Sequence, residues 1–114
     1  MDRSPITTHV LDTARGRPVA GMAVVLERKA EEGWLPLGTG VTDADGRVSD
    51  LLRPEGAFAP GTYRLTFATG DAPDALGPGF FPEVAVTFVV DDPGRHYHVP
   101  LLLSPFGYTT YRGS

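Results

Sequence analysis

An all-β sandwich of two antiparallel sheets and seven to eight short strands is what the 114-residue sequence predicts. Three observations carry that prediction. Apolar and polar residues alternate at period two over most of the chain, the pattern of a strand with one face in a core. Glycine (14) and proline (11) are spread between those stretches as turn punctuation, which leaves room for at most one short helix. The chain is 41% hydrophobic, enough for a core, and its length suits a single domain over residues 1–114.

Ile6, Thr8 and Val10 make one row of the first strand, with Thr7, His9 and Leu11 on the other face. Gly16-Arg17-Pro18 and Gly21 then interrupt the chain, and residues 23–28 (AVVLER) form a second strand. Glu31-Glu32-Gly33 turns into a third strand over residues 34–41. In Thr42-Asp43-Ala44-Asp45-Gly46 an aspartate side chain caps the backbone and glycine takes the positive-φ position, a tight turn. A fourth, edge-like strand is expected over residues 47–52. Residues 62–69 (TYRLTFAT) alternate cleanly, with Tyr63, Leu65 and Phe67 inward. Residues 70–82 hold one helical turn at most. Residues 83–90 (EVAVTFVV) are apolar on both faces, as for a strand covered on both sides. After Asp91-Asp92-Pro93-Gly94 comes a seventh strand over residues 95–103 (RHYHVPLLL), and Pro105-Phe106-Gly107 leads to a last strand over 108–112.

Absences narrow the chemistry. With 10 basic and 14 acidic residues the net charge is −4, which speaks against a nucleic-acid binder. The chain has no cysteine, so no disulfide, thiolate metal site or cysteine nucleophile is available. No apolar run reaches the roughly 20 residues of a membrane span, and no signal peptide is expected at the N-terminus, so the expected location is the cytoplasm. No serine lies in a G-x-S-x-G elbow, and there is neither a P-loop nor a dinucleotide fingerprint. Asp43-Ala44-Asp45-Gly46 echoes a calcium loop, but that register puts Val41 and Leu52 where carboxylates are required.

Three histidines remain. His96 and His98 are two apart, on the same face of one strand, and Tyr97, Val99, Leu101 and Leu103 take the opposite, apolar face. His9 lies opposite the Ile6/Val10 row. Such imidazoles are either solvent-washed or part of a site. Arg47, just after the turn glycine, is either a charge protecting an edge strand or a ligand for an anionic group. Tyr111-Arg112-Gly113-Ser114 is an aromatic and basic end joined directly to a strand. Two kinds of hydrolytic chemistry suit this set. One is a three-histidine zinc site activating a bound water. The other is metal-free acid–base hydrolysis, with an imidazole as base and a guanidinium fork holding an oxygen-rich substrate. Spacing fits both.

The stretches Ile6-Thr7-Thr8-His9-Val10-Leu11-Asp12-Thr13, Gly16-Arg17-Pro18, Asp45-Gly46-Arg47, Phe81-Pro82-Glu83-Val84 and residues 96–105 (HYHVPLLLSP) resemble the transthyretin-like 5-hydroxyisourate hydrolase family. The terminal Tyr111-Arg112-Gly113-Ser114 is the most specific part of the likeness. It implies a transthyretin-like sandwich assembled as a homotetramer, a dimer of dimers with active sites in a channel between the dimers. The implied reaction is hydrolytic opening of the lactam ring of 5-hydroxyisourate to 2-oxo-4-hydroxy-4-carboxy-5-ureidoimidazoline, in urate degradation, with no cofactor and no metal. The resemblance implies His9, Arg47, His98 and Ser114 as catalytic residues. It implies His9, Arg47, Tyr111, Arg112 and Gly113 as substrate-binding ones, with His96 orienting or solvated. One departure is residues 70–79 (GDAPDALGPG), where the family carries a longer helical segment; two prolines and three glycines make poor helix material.

Three other readings compete with the hydrolase. A non-catalytic carrier would use the same channel without needing paired imidazoles. A structural sandwich module would accompany linkers and neighbouring domains. A zinc hydrolase would be sensitive to chelators.

Overall fold

A computed structural model describes residues 4–52, 58–72 and 79–113 of the chain. They form β1 (Ile6–Asp12), β2 (Arg17–Pro18), β3 (Ala23–Ala30), β4 (Gly33–Val41), β5 (Arg47–Val48), β6 (Gly61–Phe67), β7 (Val84–Val90), β8 (Tyr97–Ser104) and β9 (Gly107–Thr110). One sheet runs β2-β1-β8-β9, with β5 also pairing with β1; the other runs β4-β3-β6-β7. Among the described residues there is no helix, and none is long and apolar enough to cross a membrane. Of residues 70–82, where a single helical turn was allowed, 73–78 lie outside the described residues and the rest are not helical.

The two-sheet sandwich is as the alternation predicts, with nine strands among the described residues; the one not expected is the two-residue β2. The inward rows match. Ile6, Thr8 and Val10 on β1 and Tyr97, Val99, Leu101 and Leu103 on β8 are buried. They face Tyr63, Leu65 and Phe67 on β6, which are also buried. Burying each large apolar side chain contributes about 1.5–3 kcal/mol, so these rows set which face of each strand looks outward. Thr8 is the polar member of its row, and its hydroxyl donates to the Val99 carbonyl at 2.6 Å.

Four details differ from the sequence reading. The β1–β8 pair is parallel, in register from Ile6 opposite Tyr97 to Asp12 opposite Leu103. Parallel neighbours need a long crossover, and here the whole second sheet supplies it. The strand expected over 47–52 stops at Val48. Leu51 and Leu52 are buried, and an added Cβ on Gly38 of β4 would overlap the Leu51 carbonyl oxygen, so the chain dives across β4 instead of continuing along β1. β7 is an edge strand with only one row covered; Ala85, Thr87 and Val89 are exposed on this protomer. β9 ends at Thr110 rather than 112, for a reason that bears on the site.

Candidate active site

The site is built on the outward face of the β1–β8 sheet. Its first corner is the turn before β5. Asp43 Oδ1 accepts the N–H groups of Asp45 (2.9 Å) and Arg47 (3.0 Å), and the Asp43 carbonyl accepts the Gly46 N–H at 2.9 Å. Gly46 sits at φ 76° and its carbonyl accepts the Val10 N–H at 2.8 Å, which staples the turn onto β1. Arg47 thereby comes to lie directly opposite His9. Cross-strand partners share a face, so the guanidinium and the imidazole project to the same side.

The Arg47 N–H, then the Asp45 N–H and the charges of Arg47 and His9, hold the Asp43 carboxyl below the usual aspartate value of 3.8, against a smaller opposing effect of burial. A depressed folded value means that the turn draws stability from ionised Asp43 at all pH above 3.8 and loses it only as pH falls through the lower folded value. The backbone amide resonance of Arg47 should therefore stay native down to pH 3.8 and shift below it. In Asp43→Ala the displaced resonance should appear already at neutral pH.

The second corner is histidine-rich. Thr7 pairs with His98 and His9 with Pro100 across the parallel ladder, so Thr7, His9 and His98 share the outward face. The Thr7 hydroxyl lies 2.8 Å from His98 Nδ1 and 2.9 Å from His96 Nε2. Thr7 is buried, whereas His9, His96 and His98 are half-buried and open to the cleft. The alternation put Thr7 on the His9 face, but its link to both imidazoles depends on a register between residues 89 and 91 positions apart.

The third corner is the tail. Pro100 has the same orientation as His98 in the ladder, so the N–H it lacks would have faced β9. The β8–β9 ladder accordingly stops at Leu101 opposite Thr110, and the Thr110 hydroxyl donates to the Pro100 carbonyl at 2.8 Å. The chain rejoins β8 at Gly113, whose N–H donates to the His98 carbonyl at 2.8 Å. Tyr111 and Arg112 form the exposed step between these contacts. Tyr111 lines the cleft; the Arg112 guanidinium turns away from it and lies 4.4 Å above the Tyr97 ring. Ser114 lies outside the described residues.

Gly113 is a glycine for reasons of space. An added Cβ would stand 2.7 Å from His98 Cδ2 and 3.4 Å from Pro100 Cγ. The imidazole, at the end of a flexible side chain, must yield. Gly113→Ala should therefore leave the melting temperature within a few degrees while lowering kcat by roughly tenfold, because it displaces an imidazole that lines the cleft. Thermal unfolding and steady-state kinetics on one preparation check this.

Together the corners enclose a polar cleft of about 350 Å³ lined by Thr7, His9, Arg47, His96, His98 and Tyr111, among others. Of the residues expected from the sequence, the fold brings together His9, Arg47, His98 and Tyr111 with His96, and sets Gly113 behind the His98 ring. Arg112 is beside the cleft rather than in its lining. Among the described residues, no group of three or more His, Asp or Glu side chains is arranged to hold a metal ion. Imidazoles beside a guanidinium in an open polar cleft suit a small planar oxyanion-forming substrate and a water to be deprotonated.

Comparison with known proteins points the same way. The chain is 50% identical over 110 residues to a protein of Salmonella typhimurium called 5-hydroxyisourate hydrolase, covering 96% of this chain and 80% of that one. It superposes on the structure of Klebsiella pneumoniae 5-hydroxyisourate hydrolase with a TM-score of 0.81 and 33% identity, over all of both chains. It superposes on the crystal structure of transthyretin from Sparus aurata with a TM-score of 0.85 and 34% identity, over 96% of each chain. A family model described as Transthyretin, HIUase/Transthyretin family, matches residues 6–113, and the chain belongs to that family.

Proposed function

We propose that the protein hydrolyses 5-hydroxyisourate to 2-oxo-4-hydroxy-4-carboxy-5-ureidoimidazoline, as a step of urate degradation, by metal-free acid–base catalysis. The observation that carries this reading is the convergence of His9, Arg47 and His98 on one outward sheet face, in one cleft. His98, assisted by His9, takes a proton from water. The hydroxide adds to the lactam carbonyl carbon, the C–N bond breaks, and the proton passes to the departing nitrogen. Arg47 holds the planar substrate and offsets the charge that develops on the carbonyl oxygen, an effect of about 2.7–4 kcal/mol for a well-placed donor. Tyr111 walls the cleft, Gly113 admits the His98 ring close to the backbone, and Arg112 anchors the tail with its guanidinium over the Tyr97 ring. Ser114 is proposed to complete the catalytic set from beyond Gly113.

The ultraviolet decay of freshly made 5-hydroxyisourate tests the reading, with and without the protein and with excess chelator. Accelerated decay unaffected by chelator is expected. Decay at the spontaneous rate from folded protein would instead favour a carrier, the reading that the transthyretin likeness keeps in view.

The proposed unit is residues 1–114 acting in the cytoplasm as a homotetramer, a dimer of dimers. Its support is the pair of unpaired sheet edges, β7 and β9, and the apolar groove of about 310 Å³ between them that includes Val86, Val89 and Thr110. Edge strands with exposed apolar residues associate unless covered. Sedimentation should give four times the protomer mass; a monomer with full activity would remove the shared-channel part of the proposal.

A further inference from the structure

We infer that Thr7 is a positioning residue that sets the tautomer of His98, with His96 completing the setting as an acceptor; the inference rests on the proposed role of His98 as base. A threonine hydroxyl has one hydrogen. Lying 2.8 Å from His98 Nδ1 and 2.9 Å from His96 Nε2, it donates to at most one of them, and the other must donate to its oxygen. Thr7 has little freedom to escape this choice. It is 4% exposed, β-branched, and fixed directly opposite His98 in the ladder.

Two chains of donors place the hydroxyl hydrogen between the rings; in a third arrangement both rings donate to the two lone pairs of the oxygen and the hydroxyl hydrogen points elsewhere. In the first, His98 Nδ1–H donates to the Thr7 oxygen and the Thr7 O–H donates to His96 Nε2. In the second, every hydrogen is reversed, so neutral His98 carries its hydrogen on Nε2. Only the first both uses the Thr7 hydrogen between the rings and leaves the lone pair of neutral His98 on Nε2, the nitrogen that Thr7 does not hold. Unlike the second, it also survives catalysis unchanged. When Nε2 takes the proton from water, the imidazolium donates from both nitrogens, and the Nδ1–H···O bond is already in place. Under the second arrangement a base at Nε2 would first require the hydroxyl to turn and the hydrogens on both rings to move. His96 therefore serves without touching substrate: as acceptor it keeps the Thr7 hydrogen pointed away from His98. The wider rule is that the bond made by one ring nitrogen decides the state of the other.

The test combines ¹⁵N-histidine NMR with steady-state kinetics on the assembled protein and on Thr7→Val, Thr7→Ser and His96→Leu. In the parent, neutral His98 should be the Nδ1–H form. Thr7→Val, which keeps shape and loses the hydroxyl, should give a mixture of tautomers. Its kcat should fall about 10- to 100-fold, the usual cost of removing a residue that orients a reacting group, with KM changed by less than about twofold. Thr7→Ser should restore both tautomer and kcat. His96→Leu should let the hydroxyl turn to His98, moving its hydrogen to Nε2 and lowering kcat with Thr7 intact. If Thr7→Val fails to fold, the serine and leucine variants carry the same contrast. An Nε2–H His98 in the parent, or a folded Thr7→Val with parental tautomer and kcat, would overturn the inference. Failure of the hydrolase reading would look different: the parent itself would not accelerate decay, while the NMR contrast would still decide the role of Thr7 in setting the tautomer.

Discussion

Arg47→Ala and His98→Ala should each lower kcat/KM by about 10²–10³-fold while the protein stays folded and keeps the parent's assembly state. The magnitude is that of removing one preorganised charge-stabilising donor, or one general base, from a hydrolytic site. The fold should survive because neither side chain holds the core. Arg47 is exposed, and the turn uses its backbone: its N–H to Asp43 Oδ1 and its carbonyl to the Asp43 N–H, both retained by alanine. His98 projects from the outward face of β8, and the Gly113 bond is made to its carbonyl. Arg47→Lys should fall between parent and alanine, since a lysine keeps the charge and loses the planar fork. Circular dichroism and sedimentation run beside the kinetics separate catalysis from structure. Unfolding of both alanine variants would make these residues structural and dissolve the site.

Gly46→Ala is expected to act in the opposite manner, through stability. The residue sits at φ 76°, a region that costs an L side chain about 1–2 kcal/mol, and the new Cβ would stand 2.5 Å from the Val10 carbonyl oxygen and 2.9 Å from Pro18 Cβ. Backbone on one side and a rigid ring on the other leave little room to yield. A loss of about 2–4 kcal/mol follows, and a melting temperature lowered by roughly 10–20 °C. Gly16→Ala is the control. Its φ is 71°, yet nothing lies within 4 Å of the added Cβ, so only the conformational cost applies. Equal losses in the two variants would show that packing against β1 contributes nothing.

The contrast between those glycines also shows what a sequence can display. Period-two alternation is local, and it placed Ile6, Thr8, Val10, Tyr97, Val99 and Leu101 inward and His9 and His98 outward, as found. The turn chemistry of Asp43 and Gly46 was equally legible, because an aspartate cap and a positive-φ glycine act within a few residues. What escaped depends on distant chain segments meeting. The strand after Arg47 looked longer because Leu51 and Leu52 continue the apolar pattern, whereas Leu51 is buried where the chain crosses Gly38 and Gly40 of β4. Pro100 was a readable signal, a proline in a strand, but its consequence required knowing that β9 would be its neighbour. Thr7 was on the correct face with no sign of its two imidazole partners, since these are delivered by the parallel β1–β8 register.

The most direct measurement is a crystal structure of the protein with a non-hydrolysable planar purine of the substrate's size, such as urate, bound from solution. Ligand density between His9, Arg47 and His98, with the guanidinium on a ring oxygen and His98 Nε2 facing the adjacent carbonyl carbon, is the predicted result. Density elsewhere on the molecule, with that cleft left to water in a protein that still accelerates the decay of 5-hydroxyisourate, would contradict the account.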